Sequence, residues 1–329
     1  MAAAMVWLRV GAASAAVCLV VAGCSSSQPA TEPQAQPTTA DSVVASAPSA
    51  APDQPAHVVG GGENAVTFDF IYPAGDQNWT DEAKGALHEA ADALVADIEV
   101  PKPVAITYKL ATDPNPDNLA QASSDRVDLE SPGYFRTVVQ QKLITGVDAN
   151  GDEPDGEIDI NWKNDWALGD EVTPEQADFK AVIMHEMGHT LGFDTNIQGP
   201  GPGPGPGSAP VTNRTTFDEF VVNAEGTKVL NDDFTFNTEF DPNLTGGNGG
   251  LFFGGPHAMA AYDGKPVPLL TDSPWSVSNI CHLNGHVFTD ENRKVMNSGN
   301  EFTEGPEAHA LSPVELGIFE DLGYTVVAH

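Results

Sequence analysis

His185-Glu186-Met187-Gly188-His189 sets two imidazoles four residues apart, with a carboxylate beside the first. On an α-helix, positions four apart differ by about 40° around the axis, so both rings can reach one ion from the same face. Neutral imidazole suits zinc, and a catalytic zinc site needs three protein ligands and one open position. Glu186 lies next to the ligands without being one. From there it can take a proton from a water that the ion has made acidic. Gly192 follows as a candidate left-handed helix end. The third ligand is not contained in the pentapeptide. Asp194, Thr195, Glu219, Glu225, His257, His282 and His286 are the later candidates, and Thr195 is a poor zinc ligand.

A second group consists of Asp148, Asn150, Asp152, Asp155 and Asp159, with Gly151 and Gly156 among them. Oxygen ligands at alternate positions resemble the start of a calcium loop. However, Glu153 stands where such a loop needs glycine, and Asp159 replaces its bidentate glutamate. Calcium at Asp148, Asn150, Asp152 and Asp159 is therefore weighed against a solvated acidic turn.

These groups must be positioned by regular elements. Val66, Phe68 and Phe70 alternate as in a half-buried strand, as do Val104, Ile106, Tyr108 and Leu110; Ile158, Ile160 and Trp162 predict another. Thr80 is placed to cap a helix whose apolar face is Ala83, Leu87, Ala91, Leu94 and Ile98, stopped by Pro101 and Pro103. Thr173-Pro174-Glu175-Gln176 reads as a capping box opening the helix that runs through Phe179, Val182 and Ile183 to His189. After residue 192 the chain is mostly loop, including a Gly-Pro alternation from Gly199 to Gly207. Ser312-Pro313-Val314-Glu315 then predicts a last short helix, ended by Gly323.

With these elements in place, His185 to Phe193 followed by a distant histidine and a methionine resembles the leishmanolysin-like branch of the metzincin peptidases. The likeness extends through Glu157 to Asn161, Phe217 to Phe220, Leu251 to Gly255, Trp275, Cys281-His282-Leu283 and Leu311 to Leu316. It is also similar to bacterial secreted matrixin-like proteases, whose third histidine sits in a Ser-His-Leu-like tripeptide. That resemblance implies His282 as third ligand, with Cys281 in the serine's place, and Val295-Met296-Asn297-Ser298 as the methionine turn beneath the zinc. It departs at Asn284, where an acidic residue is expected, and at the Gly-Pro insertion, and it leaves His286 as a rival. The fold class implied is α+β: a zincin/metzincin catalytic domain with a mixed twisted sheet, an active-site helix and an irregular C-terminal subdomain ending in a helix.

The 329 residues include 14 Lys+Arg and 47 Asp+Glu, a formal net charge of −33, which argues against nucleic acid and anionic lipid as charge partners. Arg9, the apolar run from Val10 to Val21 and then Ala22-Gly23-Cys24 describe an export signal. Its ending resembles the lipobox of bacterial lipoproteins, with Cys24 acylated and the protein held at the outer face of the cell membrane. Cys281 would then be left as a buried, inert thiol, and no disulfide could form in the mature chain. The division expected is a signal at 1–23, a Ser/Pro/Ala-rich tether at 24–62 and a metallopeptidase domain at 63–329, with an upper part (63–192) and a lower part (193–329). The strand near Ile158 to Asn161 is expected to be the edge along which a peptide substrate adds itself. The function expected is zinc-dependent endopeptidase, with a protein or peptide as partner. The alternative is a surface binding or adhesion lipoprotein that keeps the fold without turnover.

Overall fold

The structure is a computed structural model, and it describes residues 57–59, 65–115, 118–201, 211–298 and 307–327. Its architecture is mixed α+β, with several small sheets and few helices.

The first strand, β1 (His57–Val59), precedes β2 (Val66–Ile71) and pairs with it antiparallel. Strand β1 thus falls within the segment expected as tether. Helix α1 (Asp81–Val95) opens where expected: the Thr80 side chain accepts from the Ala83 N–H at 3.2 Å, and Ala83, Leu87, Ala91 and Leu94 are buried. Ile98 does not continue that helical face. It forms the two-residue strand β3 (Ile98–Glu99), which pairs antiparallel with the C-terminal strand Thr325–Val326.

Strand β4 (Val104–Thr112) buries Val104, Ile106, Tyr108 and Leu110 as its alternation requires. It is followed by β5 (Ala120–Ser123), β6 (Arg126–Asp128) and β7 (Gly133–Thr137). Helix α2 (Val138–Thr145) runs from a Thr137 cap to a left-handed Gly146. Strand β8 (Gly156–Ile160) completes the main sheet, whose order is β1-β2-β4-β8-β5. Strands β2, β4 and β8 are parallel; β5 is antiparallel to β8, with Ala120 opposite Ile160. The edge expected at Ile158 to Asn161 is thus interior, and β5 is the edge. Its buried residues are Ala120 and Ala122. Small side chains there let the sheet edge approach the site helix, and they are also why the segment carries little strand propensity.

The site helix α3 (Phe179–Thr190) is buried along its whole length and packs against α1 and β5. Its cap is Asp178, which accepts from the Ala181 N–H at 3.3 Å. The residues expected to cap it form a separate turn, in which the Gln176 N–H donates to the Thr173 carbonyl at 3.0 Å. Beyond α3 the chain is irregular apart from short strands, 3-10 turns, α4 (Pro256–Ala261) and α5 (Pro313–Asp321). The capping box of α5 is formed by Ser312 and Glu315 as expected. No helix among the described residues is long and apolar enough to cross a membrane.

Candidate metal centre

The C-terminal half of α3 presents His185 and His189 on one side, as their spacing requires. Gly192 takes a left-handed φ of +96° directly after the helix and turns the chain away. A loop of the lower half brings His282 to the same point. Its backbone is bracketed on both sides: the Leu270 N–H donates to the His282 carbonyl at 2.9 Å, and the Leu283 N–H donates to the Met296 carbonyl at 2.8 Å. Of the later candidates, only His282 joins the helix pair.

The three rings are almost fully buried. Each Nδ1 lies 2.7 Å from a backbone carbonyl: Val295 for His185, Phe193 for His189 and Ser278 for His282. A carbonyl can only accept, so each Nδ1 carries the hydrogen and donates it. Each Nε2 is then left with a lone pair. The Nε2 atoms of His189 and His282 both lie 3.1 Å from that of His185. Three lone pairs converge with no hydrogen between them, which is unfavourable unless a cation sits there. Two ligands on one tetrahedral ion at 2.0–2.1 Å would be about 3.3 Å apart, close to what is seen. Burial pushes His189 down to about 3, helped by repulsion from His282, and His282 down to about 4; His185 is also lowered, by burial and by both neighbours. All three are neutral near pH 7, the form that binds metal. Among the described residues they are the one group of three or more His, Cys, Asp or Glu whose ligand atoms lie within 4.8 Å of one another. These three histidines can hold a metal ion.

Glu186 is fully buried, and neither carboxylate oxygen has a close hydrogen-bond partner. Burial raises its pKa well above the ordinary carboxylate range; the Ala122 N–H of β5 partly offsets this, and the charge of Asp113 adds to it. Met296 is also fully buried, directly beneath the site helix. A Cβ built on Gly188 would meet the Met296 sulfur at 2.5 Å, so only glycine admits the methionine this close. Glu315, the capping-box glutamate of α5, holds that turn: its Oε1 accepts from the Met296 N–H at 2.8 Å, and its Oε2 accepts from Ser312. The capping box is legible in sequence, but the second duty of Glu315 is not.

The other candidates lie elsewhere. His286 is exposed and pairs with Asp272 at 3.2 Å, and His257 pairs with Glu320 at 3.3 Å. Glu219 faces Lys228 at 3.8 Å, and Glu225 is exposed. Thr195 donates to Asp218 at 2.5 Å, and Asp194 accepts from the Thr195 N–H at 2.8 Å. Burial, with the charge of Asp218, raises Asp194 to about 8.

The acidic loop does not close on a common point. The Lys142 ammonium lies 2.9 Å from Asp148 and 2.8 Å from Asp155, where a cation would compete with it. The side chain of Asn150 donates to the Glu153 and Pro154 carbonyls at 2.9 Å, Asp152 is exposed, and Asp159 accepts from Gln121 at 2.8 Å on the sheet. Cys24 lies outside the described residues. Cys281 is fully buried.

Comparison with models of known families, with curated proteins and with solved structures finds no match to this chain.

Proposed function

We propose that the protein is a zinc-dependent endopeptidase with a zincin fold of the metzincin type. The observation that carries this reading is the set of three Nε2 lone pairs converging beside the fully buried Glu186. Three imidazoles with no carboxylate ligand suit zinc. The methionine under the helix and the glycine turn at Gly192 support the resemblance to the metzincin layout.

A zinc ion held by His185, His189 and His282 would, when bound, polarise the scissile carbonyl and make a water acidic enough to attack it. Glu186 takes the proton of that water on a carboxylate oxygen and returns it to the leaving amine. The outer side of β5 pairs with no strand among the described residues, so its backbone groups can receive an extended peptide. Ala122 places that edge beside Glu186.

Metal analysis of the purified protein, with peptide-library cleavage by wild type and Glu186→Gln, tests the reading. Zinc near one per chain in both and hydrolysis in wild type alone is the expected result. Equal hydrolysis by the two proteins would overturn the mechanism. Zinc without hydrolysis in either would favour the binding lipoprotein.

The end of the leader at Cys24 supports a lipid anchor on the outer face of the membrane. Wild type is expected in the detergent phase on Triton partitioning, and Cys24→Ser, which cannot be acylated, in the aqueous phase. A wild-type chain found wholly in the aqueous phase would refute the anchor.

A further inference from the structure

Ile280 has a φ of +75°, in the left-handed region. A β-branched residue is strained there, and such outliers persist only where their surroundings hold them. Glycine or asparagine would occupy this conformation at little cost. The strain falls two residues before His282.

The surroundings that hold it are visible. The Ile280 side chain is fully buried in the main core. Its N–H donates to the Leu270 carbonyl at 2.8 Å, and the Leu270 N–H returns the bond to His282 at 2.9 Å. Asn279, also fully buried, donates its side-chain amide to the carbonyls of Leu244 and Asp272 at 2.9 and 2.8 Å. Between these anchors the chain doubles back, so that the Ser278 carbonyl meets the Nδ1 of His282 at 2.7 Å. That bond fixes the ring's tautomer and aims its Nε2 at the helix pair. An extended residue at 280 would carry His282 away from Ser278.

We infer that Ile280 is a positioning residue for the third metal ligand: burial of its side chain holds a strained left-handed turn, and the turn aims His282. The inference rests on the metal-centre reading above. Its consequence is specific. Truncation to alanine removes the anchor but keeps the steric penalty, so residue 280 relaxes and metal binding must restore the turn. Glycine also lacks the anchor, but it has no penalty to restore.

Zinc dissociation constants of wild type, Ile280→Gly and Ile280→Ala, measured by competition with a chromophoric chelator, decide it. Both variants lose thermal stability in EDTA through the lost side chain, as a purely structural role would also require. The discriminating quantity is the affinity ratio: Ile280→Ala is expected to bind zinc about tenfold more weakly than Ile280→Gly, the size of a left-handed penalty for a residue with a Cβ. The cobalt-substituted Ile280→Ala protein should also show a weaker, shifted visible spectrum that glycine restores. Equal affinities in the two variants overturn the positioning role and leave the metal centre standing. Absence of zinc binding by wild type overturns both. Should Ile280→Ala fail to fold, Ile280→Val keeps the anchor, and its affinity should match that of wild type; a tenfold loss there would refute the inference.

Discussion

Gly188 and Met296 touch so closely that a methyl group on the glycine would overlap the methionine sulfur. Ordinarily alanine stabilises a helix interior by about 1 kcal/mol over glycine. Here the added carbon has nowhere to go: Met296 is fully buried, and its backbone is tied by hydrogen bonds to Leu283 and Glu315. Overpacking should exceed the helix gain, so Gly188→Ala is expected to destabilise the protein by about 1–3 kcal/mol. Thermal unfolding measures this, and a raised midpoint would show that the contact is slack.

The helix pair is legible in the sequence because its geometry is local: four residues, one turn, one face. His282 is different. Its ring is set by Ser278, but its backbone is set by Leu270 and Met296, and no periodicity encodes those pairings. Only the resemblance to a family layout singled it out. The errors have similar causes. Ile98 continues the spacing of Leu94, yet it is claimed by Val326 from the far end of the chain. Thr173 to Gln176 has the composition of a cap, while the true cap, Asp178, is chosen by tertiary partners. The edge strand Ala120–Ser123 consists of Ala, Gln and Ser, so it carries no strand signature of its own.

Those partners of Asp178 should give the protein a pH signature. His309 lies 2.9 and 2.8 Å from the two Asp178 oxygens, and the Glu307 N–H adds a bond at 3.1 Å. The bond to Asp178 raises His309 above its ordinary value, against a smaller lowering by burial. Burial acts to raise Asp178, but His309 and the backbone donors outweigh it and leave the carboxyl below its ordinary value. Lys180 and Asp170 nearby act on His309 in opposite directions.

The signs follow from linkage. A raised histidine stabilises fully below its unfolded value of about 6.5, and the contribution fades as pH rises through the folded value. A lowered aspartate stabilises above its unfolded value of about 3.9, and the contribution fades as pH falls through the folded one. The pair therefore contributes most between about pH 4 and 6.5. The midpoint difference between wild type and His309→Gln, both in EDTA, should be largest there and shrink on the alkaline side. A difference independent of pH would mean that the pair acts through packing alone.

Glu315 joins the last helix to the methionine turn, so its loss should be felt at the metal. Glu315→Ala leaves the Met296 and Ser312 N–H groups buried or half-buried without acceptors, at about 1–3 kcal/mol each. Val295, whose carbonyl orients His185, is next to Met296. Loosening that carbonyl should weaken zinc binding by about ten- to a hundredfold, the usual scale for a lost outer partner. Ser312→Ala removes the cap while leaving the bond to Met296, so it should lower the melting temperature with little change in zinc affinity. Equal affinity losses in the two variants would show that the effect is general loosening of the helix.

The assignment of the third ligand can be tested against its rivals directly. With His282→Ala only two imidazoles remain, both on α3, and the incomplete cage should lose zinc by orders of magnitude. His286 and His257 are exposed and paired to Asp272 and Glu320, well apart from the converging lone pairs. Their alanine variants should bind zinc as wild type does. Because zinc binds the folded state, it should raise the melting temperature of wild type, His286→Ala and His257→Ala by an amount that grows with its concentration. The His282→Ala midpoint should not move over the same range. A zinc-dependent midpoint in His282→Ala, together with its loss in His286→Ala, would transfer the third ligand to His286 and leave only the helix pair in place.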